Sequence, residues 1–158
     1  MSFHTGKVVR AVKYLVLTVL LCPGIESAVA QSRNAANSLV APAAENWATN
    51  GGNLFNQRFS SLDQINRSNV GSLKGVWRAR LNGSGMGPPY SGEAQPIVED
   101  GVIYIVTGAN DVFAIDVETG IHLWSYESGL NPDITTVCCG WTSRGVGLGE
   151  GRVFLGRL

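Results

Sequence analysis

From residue 95 onward the chain alternates between short apolar runs and turn residues. Gln95 to Val98, Val102 to Thr107, Val112 to Asp116 and Ile121 to Tyr126 are rich in β-branched and aromatic residues, and each is four to six residues long. That length suits strands rather than helices. Between them stand Glu99-Asp100-Gly101, Gly108-Ala109-Asn110-Asp111 and Val117-Glu118-Thr119-Gly120. Each of these carries residues that tolerate positive φ or cap a turn with a side-chain oxygen. The pattern predicts a four-stranded antiparallel meander. Its run Val102 to Val106 is apolar at every position and so calls for cover on both faces.

The cover is suggested by a repeat. Gly101-Val102-Ile103-Tyr104-Ile105 recurs as Gly151-Arg152-Val153-Phe154-Leu155, fifty residues on, and Trp77 and Trp124 lie 47 residues apart. Four strands per unit and periods of about 40 to 50 residues are those of β-propeller blades. Two unrelated strands sharing β-propensity would give a similar pattern. A blade buries its faces only against neighbouring blades. The 158 residues would hold one complete blade, and we expect the C-terminus, which follows an apolar strand directly, to be a truncation.

The first thirty residues read as an export signal. Lys7, Arg10 and Lys13 precede the uncharged run Tyr14 to Cys22, then Pro23 and the small-residue site Ala28-Val29-Ala30. The run is too short for a stable membrane span. The predicted divisions are signal 1–30, linker 31–46 and propeller 47–158. The whole chain has 12 basic and 12 acidic residues, and the part after Ala30 has nine against eleven, a net charge of −2. Neither balance favours nucleic acid as a partner. Eighteen of the 20 glycines lie after the signal, which fits many tight turns.

Cys138 and Cys139 are the cysteines left after the signal, adjacent in a chain bound for an oxidising compartment. Their Cα atoms are about 3.8 Å apart across a trans peptide, short of the usual disulfide range of about 4.4 to 6.8 Å. A bond between them would be strained and would close almost no loop, so it would not staple the fold. It would make a small rigid ring with a polarizable sulfur face on which a planar cofactor could lie. A reduced, incidental thiol pair is the other reading.

Ala114-Ile115-Asp116-Val117-Glu118-Thr119-Gly120-Ile121-His122-Leu123-Trp124 resembles the tryptophan-docking motif A-x-D-x-x-T-G-x-x-x-W of the pyrroloquinoline quinone (PQQ) dependent dehydrogenases, matching at every fixed position. Val137-Cys138-Cys139-Gly140 followed by Arg144-Gly145-Val146 is similar to the vicinal-disulfide loop of the PQQ alcohol dehydrogenases. Trp47 to Ser61, Leu62, Gln64-Ile65-Asn66 and Leu73 to Trp77 resemble the N-terminal segment of the same family, so the likeness runs from about Trp47 to Leu158.

The resemblance implies an all-β fold, the first blade or so of an eight-bladed propeller with PQQ on its axis. It implies that Cys138 and Cys139 form a disulfide floor under the quinone and that Arg144 binds a cofactor carboxylate, a role its planar fork suits. Glu93 resembles the family glutamate that bonds the cofactor. An acid facing a polyanion makes sense if it meets a protonated group or orients Arg144. Val76 to Leu81 is expected as a strand that, in the full protein, would belong to the blade closing the ring, Asn82 to Tyr90 as a long flexible connection across the propeller face, and Trp47 and Trp77 as core or docking residues.

No haem-attachment C-x-x-C-H occurs, and His122, in the hairpin strand, is the one histidine after the signal, too few for a histidine zinc cluster. The resemblance places the catalytic aspartate base and the ligands of a calcium or lanthanide ion beyond this stretch. The expectation is therefore an N-terminal portion of a periplasmic PQQ-dependent alcohol dehydrogenase, oxidising a small primary alcohol to an aldehyde and passing electrons to a cytochrome, with no activity of its own. A non-catalytic propeller scaffold of the bacterial envelope and an inactive remnant are the alternatives.

Overall fold

The computed structural model describes residue 37 and residues 39–82, 90–135, 137 and 140–158. The signal, Gly83 to Pro89 of the long connection, and Cys138 and Cys139 lie outside the described residues. Eight strands follow in chain order: β1 (Tyr90–Ser91), β2 (Ile97–Glu99), β3 (Val102–Val106), β4 (Val112–Asp116), β5 (His122–Tyr126), β6 (Trp141–Thr142), β7 (Gly147–Gly149) and β8 (Arg152–Phe154). Strands β2-β3-β4-β5 form one antiparallel sheet in sequence order, the expected meander.

The fifty-residue repeat is structural. Asp100 and Gly101 turn the β2–β3 hairpin with φ of 49° and 76°, and Glu150 and Gly151 turn the β7–β8 hairpin with φ of 51° and 69°. Two central residues at positive φ make the turn whose twist matches paired strands. Register agrees rung for rung: Glu99 faces Val102 and Ile97 faces Tyr104, while Gly149 faces Arg152 and Gly147 faces Phe154. Strands β7 and β8 thus begin a second unit, and they cover the first one. Buried Ile97, Val106, Val112 and Val146 form the shared core, with Tyr104, Leu148, Val153 and Leu155 packed around it.

The best-covered strand is β4, whose Val112 to Ile115 are all buried, whereas β3 is half-buried at four of its five positions. Both faces of β3 are only partly roofed by the described residues. One rung explains the motif's alanine. Tyr104 faces Ala114 and Ala114 faces Trp124 on the next strand. Ala114 is fully buried, and the flanking rings of Tyr104 and Trp124 meet at 6.1 Å between centroids, tilted by 52°. A small central residue lets two large neighbours approach over it.

The hairpin between β4 and β5 is closed by the motif's polar residues. Thr119 donates to Asp116 Oδ1 from its N–H at 2.8 Å and from its hydroxyl at 2.6 Å, and Gly120 N–H donates to the Asp116 carbonyl at 2.9 Å. The two Thr119 bonds, the hydroxyl's first, hold the Asp116 carboxyl below the ordinary aspartate value. Gly120, at φ 71°, sits under the Trp77 indole: a Cβ there would lie 2.5 Å from Cδ2. Trp77 Nε1 donates to the Val117 carbonyl at 2.9 Å. Trp77 is therefore a docking residue that ties the incoming segment to the outer hairpin. His122 is exposed on β5, its ring 5.3 Å from that of Phe113.

Val76 to Leu81, expected to join the blade that closes the ring in the full protein, carries no strand here. It is held by the Trp77 side chain instead, with Val76 88% exposed. Residues 39–46, read as linker, are bonded to the loop that follows. Leu54 N–H donates to Leu39 O, Asn53 Nδ2 to Ala41 O, and Ser61 N–H to Ala43 O.

Candidate functional site

The site is built where the two units meet. Strands β1 and β6 pair in parallel, Tyr90 against Trp141 and Ser91 against Thr142, a constant offset of 51 residues. Two residues beyond each strand, that offset matches Glu93 with Arg144. Their side chains form an ion pair, Arg144 Nη2 to Glu93 Oε2 at 3.3 Å. The two candidates named from sequence, 51 positions apart, are thus neighbours.

The pair is open to solvent, with 80% of the Arg144 side chain and 49% of the Glu93 side chain exposed. Glu93 engages one guanidinium nitrogen, and arginine carries five N–H donors in a planar fork. An anion can therefore reach Arg144 without displacing Glu93. The ion pair is the kind of contact an acid that orients Arg144 would make.

Cys138 and Cys139 lie outside the described residues, whereas Trp141, two positions on, is described. Trp141 is buried, and its Nε1 donates to the Ile134 carbonyl at 3.1 Å. Beyond Arg144, Gly145 takes φ 141°, a conformation that disfavours any side chain. The loop's exit therefore has a fixed path.

One cluster has no counterpart in the sequence reading. Gln95, half-buried, has its amide between Asn50 and Arg58. With the amide turned to satisfy both neighbours, Nε2 donates to Asn50 Oδ1 and to the Asn50 carbonyl, and Oε1 accepts from Arg58 Nη1 at 3.2 Å. The nearest signal was the polar run Asn50 to Arg58 itself, whose partner 37 or more residues away nothing local could name.

A family model described as the β-propeller domain of PQQ glucose, ethanol and alcohol dehydrogenases matches residues 47–153. The chain belongs to this family. The quinoprotein alcohol dehydrogenase PedH of Pseudomonas putida is 35% identical over 144 residues, 91% of this chain and 23% of that protein. The 1-butanol dehydrogenase (cytochrome c) of Thauera butanivorans is 38% identical over 118 residues, 71% of this chain and 16% of that protein. Among solved structures, a europium-containing methanol dehydrogenase superposes with a TM-score of 0.64 at 25% identity, over 77% of this chain and 21% of that one. The chain thus spans less than a quarter of the length of these PQQ-family relatives. Its strands are part of a β-propeller, and the Glu93–Arg144 pair lies inside the matched domain.

Among the described residues, no group of three His, Cys, Asp or Glu side chains is placed to hold a metal ion. No helix among them is long and apolar enough to cross a membrane.

Proposed function

We propose that the chain forms the carboxylate-binding wall of the PQQ site in a periplasmic alcohol dehydrogenase. The observation that carries this is the exposed Arg144 guanidinium held at one nitrogen by Glu93. PQQ bears three carboxylates, and a planar fork with free donors is the side chain that suits one of them. The residues present fit the group. When bound, PQQ supplies the two-electron acceptor for alcohol oxidation.

The chain's own residues then have distinct tasks. Arg144 binds a cofactor carboxylate, Glu93 keeps the guanidinium plane in place, and Cys138 and Cys139 form the floor. A small primary alcohol as substrate is supported by the relatives' names, and a cytochrome as electron acceptor by the name of the Thauera butanivorans enzyme. The europium-containing neighbour supports a metal ion, a lanthanide or calcium, in the whole enzyme. Export to the periplasm rests on the leader pattern of residues 1–30.

The test is titration of the chain with PQQ, followed by tryptophan fluorescence. Wild type should bind, and Arg144→Met should weaken binding at least tenfold, since about 1.4 kcal/mol corresponds to a factor of ten and charge-assisted hydrogen bonds are worth about 1.5–3 kcal/mol. Equal affinity in the two proteins would refute the assignment.

A further inference from the structure

We propose that Gln95 is a positioning residue for Arg144, fixing the ion pair by tying its strand to the N-terminal loop. The pair needs such help. Exposed ion pairs contribute about 0–1 kcal/mol and do not by themselves hold two long side chains in one geometry. With 80% of the Arg144 side chain in solvent, its position is set by the backbone beneath it.

The backbone on the Glu93 side of the pair is gripped at two points. Trp47 and Val98 exchange backbone hydrogen bonds of 2.7 and 3.0 Å, adding the N-terminal segment to the edge of β2. Three residues earlier, the Gln95 amide in its turned orientation meets Asn50 and Arg58. Pro96 biases Gln95 toward extended backbone, so the lead-in from Glu93 runs straight toward β2.

The loop that holds Gln95 is itself constrained. Arg58 N–H donates to the Gly51 carbonyl at 2.9 Å, and Asn56 and Arg58 both sit at positive φ, 52° and 53°. Gly51 is buried, and a Cβ on it would lie 2.6 Å from the Asn56 Cα. On the other side, the Gln95 carbonyl oxygen is 3.7 Å from where a Cβ of Gly145 would stand, so Gln95 lies beside the residue next to Arg144. Gln95 thus reaches the 50–58 loop through its side chain and lies beside the Arg144 loop, while Glu93 stands two residues before it. One residue links all three segments.

The experiment uses the whole chain and a ligand-free readout first: the rate at which phenylglyoxal modifies Arg144, followed by mass spectrometry, with Arg152 on β8 as the internal standard. Glu93→Gln calibrates the unpaired rate. Gln95→Met, which keeps the length and removes the amide, should raise the Arg144 rate at least threefold while Arg152 stays at the wild-type rate. An unchanged Arg144 rate would overturn the proposal. If Gln95→Met raises both rates, the chain has loosened as a whole, and Arg58→Met, which acts on the same amide from the loop, decides: a rise at Arg144 alone supports the proposal and no rise overturns it.

The second readout rests on the PQQ reading above. Gln95→Met should bind PQQ about fivefold more weakly than wild type, with Arg58→Met no worse when combined with it. Failure of wild type to bind PQQ would sink that reading and leave the modification result standing. Wild-type affinity in Gln95→Met, with PQQ bound by both, would overturn the positioning role alone.

Discussion

Replacing Gly120 by alanine tests how the incoming segment is attached to the blade. Two costs arise. At φ 71° an L-residue loses about 1–2 kcal/mol relative to glycine. The new Cβ would also fall 2.5 Å from Trp77 Cδ2 and 2.7 Å from Cε3, so the indole must move. Moving it sacrifices the Nε1 bond to Val117, worth about 0.5–1.5 kcal/mol net, and roughly another 1 kcal/mol of packing around a ring that is only 36% exposed. The expected loss is about 3–4 kcal/mol. Gly101→Ala is the control: its φ is 76°, and a Cβ there would meet nothing within 4 Å, so it should cost only the backbone's roughly 1–2 kcal/mol. The assay is urea unfolding followed by far-UV circular dichroism, which does not depend on the indole. In a Trp77→Ala background Gly120→Ala should fall to the Gly101→Ala value, a coupling of about 2 kcal/mol. Equal losses with and without Trp77, within about 0.5 kcal/mol, would refute the docking role.

Two further outcomes are expected. The Asp116 carboxyl titrates below its ordinary value because the Thr119 hydroxyl and N–H bond to it, so its contribution to the hairpin is complete above the unfolded value and is lost as pH falls through the folded one. Exchange of the Gly120 amide should accelerate across that acidic window in wild type and be independent of pH there, after correction for intrinsic exchange, in Asp116→Asn; an identical acid response in both would count against the cap. Mass spectrometry under non-reducing conditions should find Cys138 linked to Cys139, and two free thiols would remove the proposed floor.

The meander was legible because its signals are local. Asp100-Gly101 and Glu150-Gly151 are two-residue turns flanked by β-formers, and the same residues fix both register and repeat. Thr119 and Gly120 announced the outer hairpin in the same way. Val76 to Leu81 was read as joining a closing blade, and β-propensity alone cannot report where a ladder partner comes from. Strands β1 and β6 were hidden for a different reason: they are two residues long and pair in parallel across 51 positions, with no turn between them to read. Glu93 and Arg144 were named through resemblance, and only the fold brought them together. Gln95 escaped because a neutral amide carries no motif, and its partners lie 45 and 37 residues upstream.

The parallel pairing of β1 with β6 also says where this sequence is free to change length. The ion pair depends on two short spacers, Ser91 to Glu93 and Thr142 to Arg144, each two residues long. Insertion of one residue in either would turn that side chain to the opposite face and separate the charges. The connection from Ser128 to Asp133, by contrast, forms no strand, and its growth or shortening would leave the offset at the pair to be taken up by the loop. Natural variants of the domain should therefore differ in length there and hold both spacers constant.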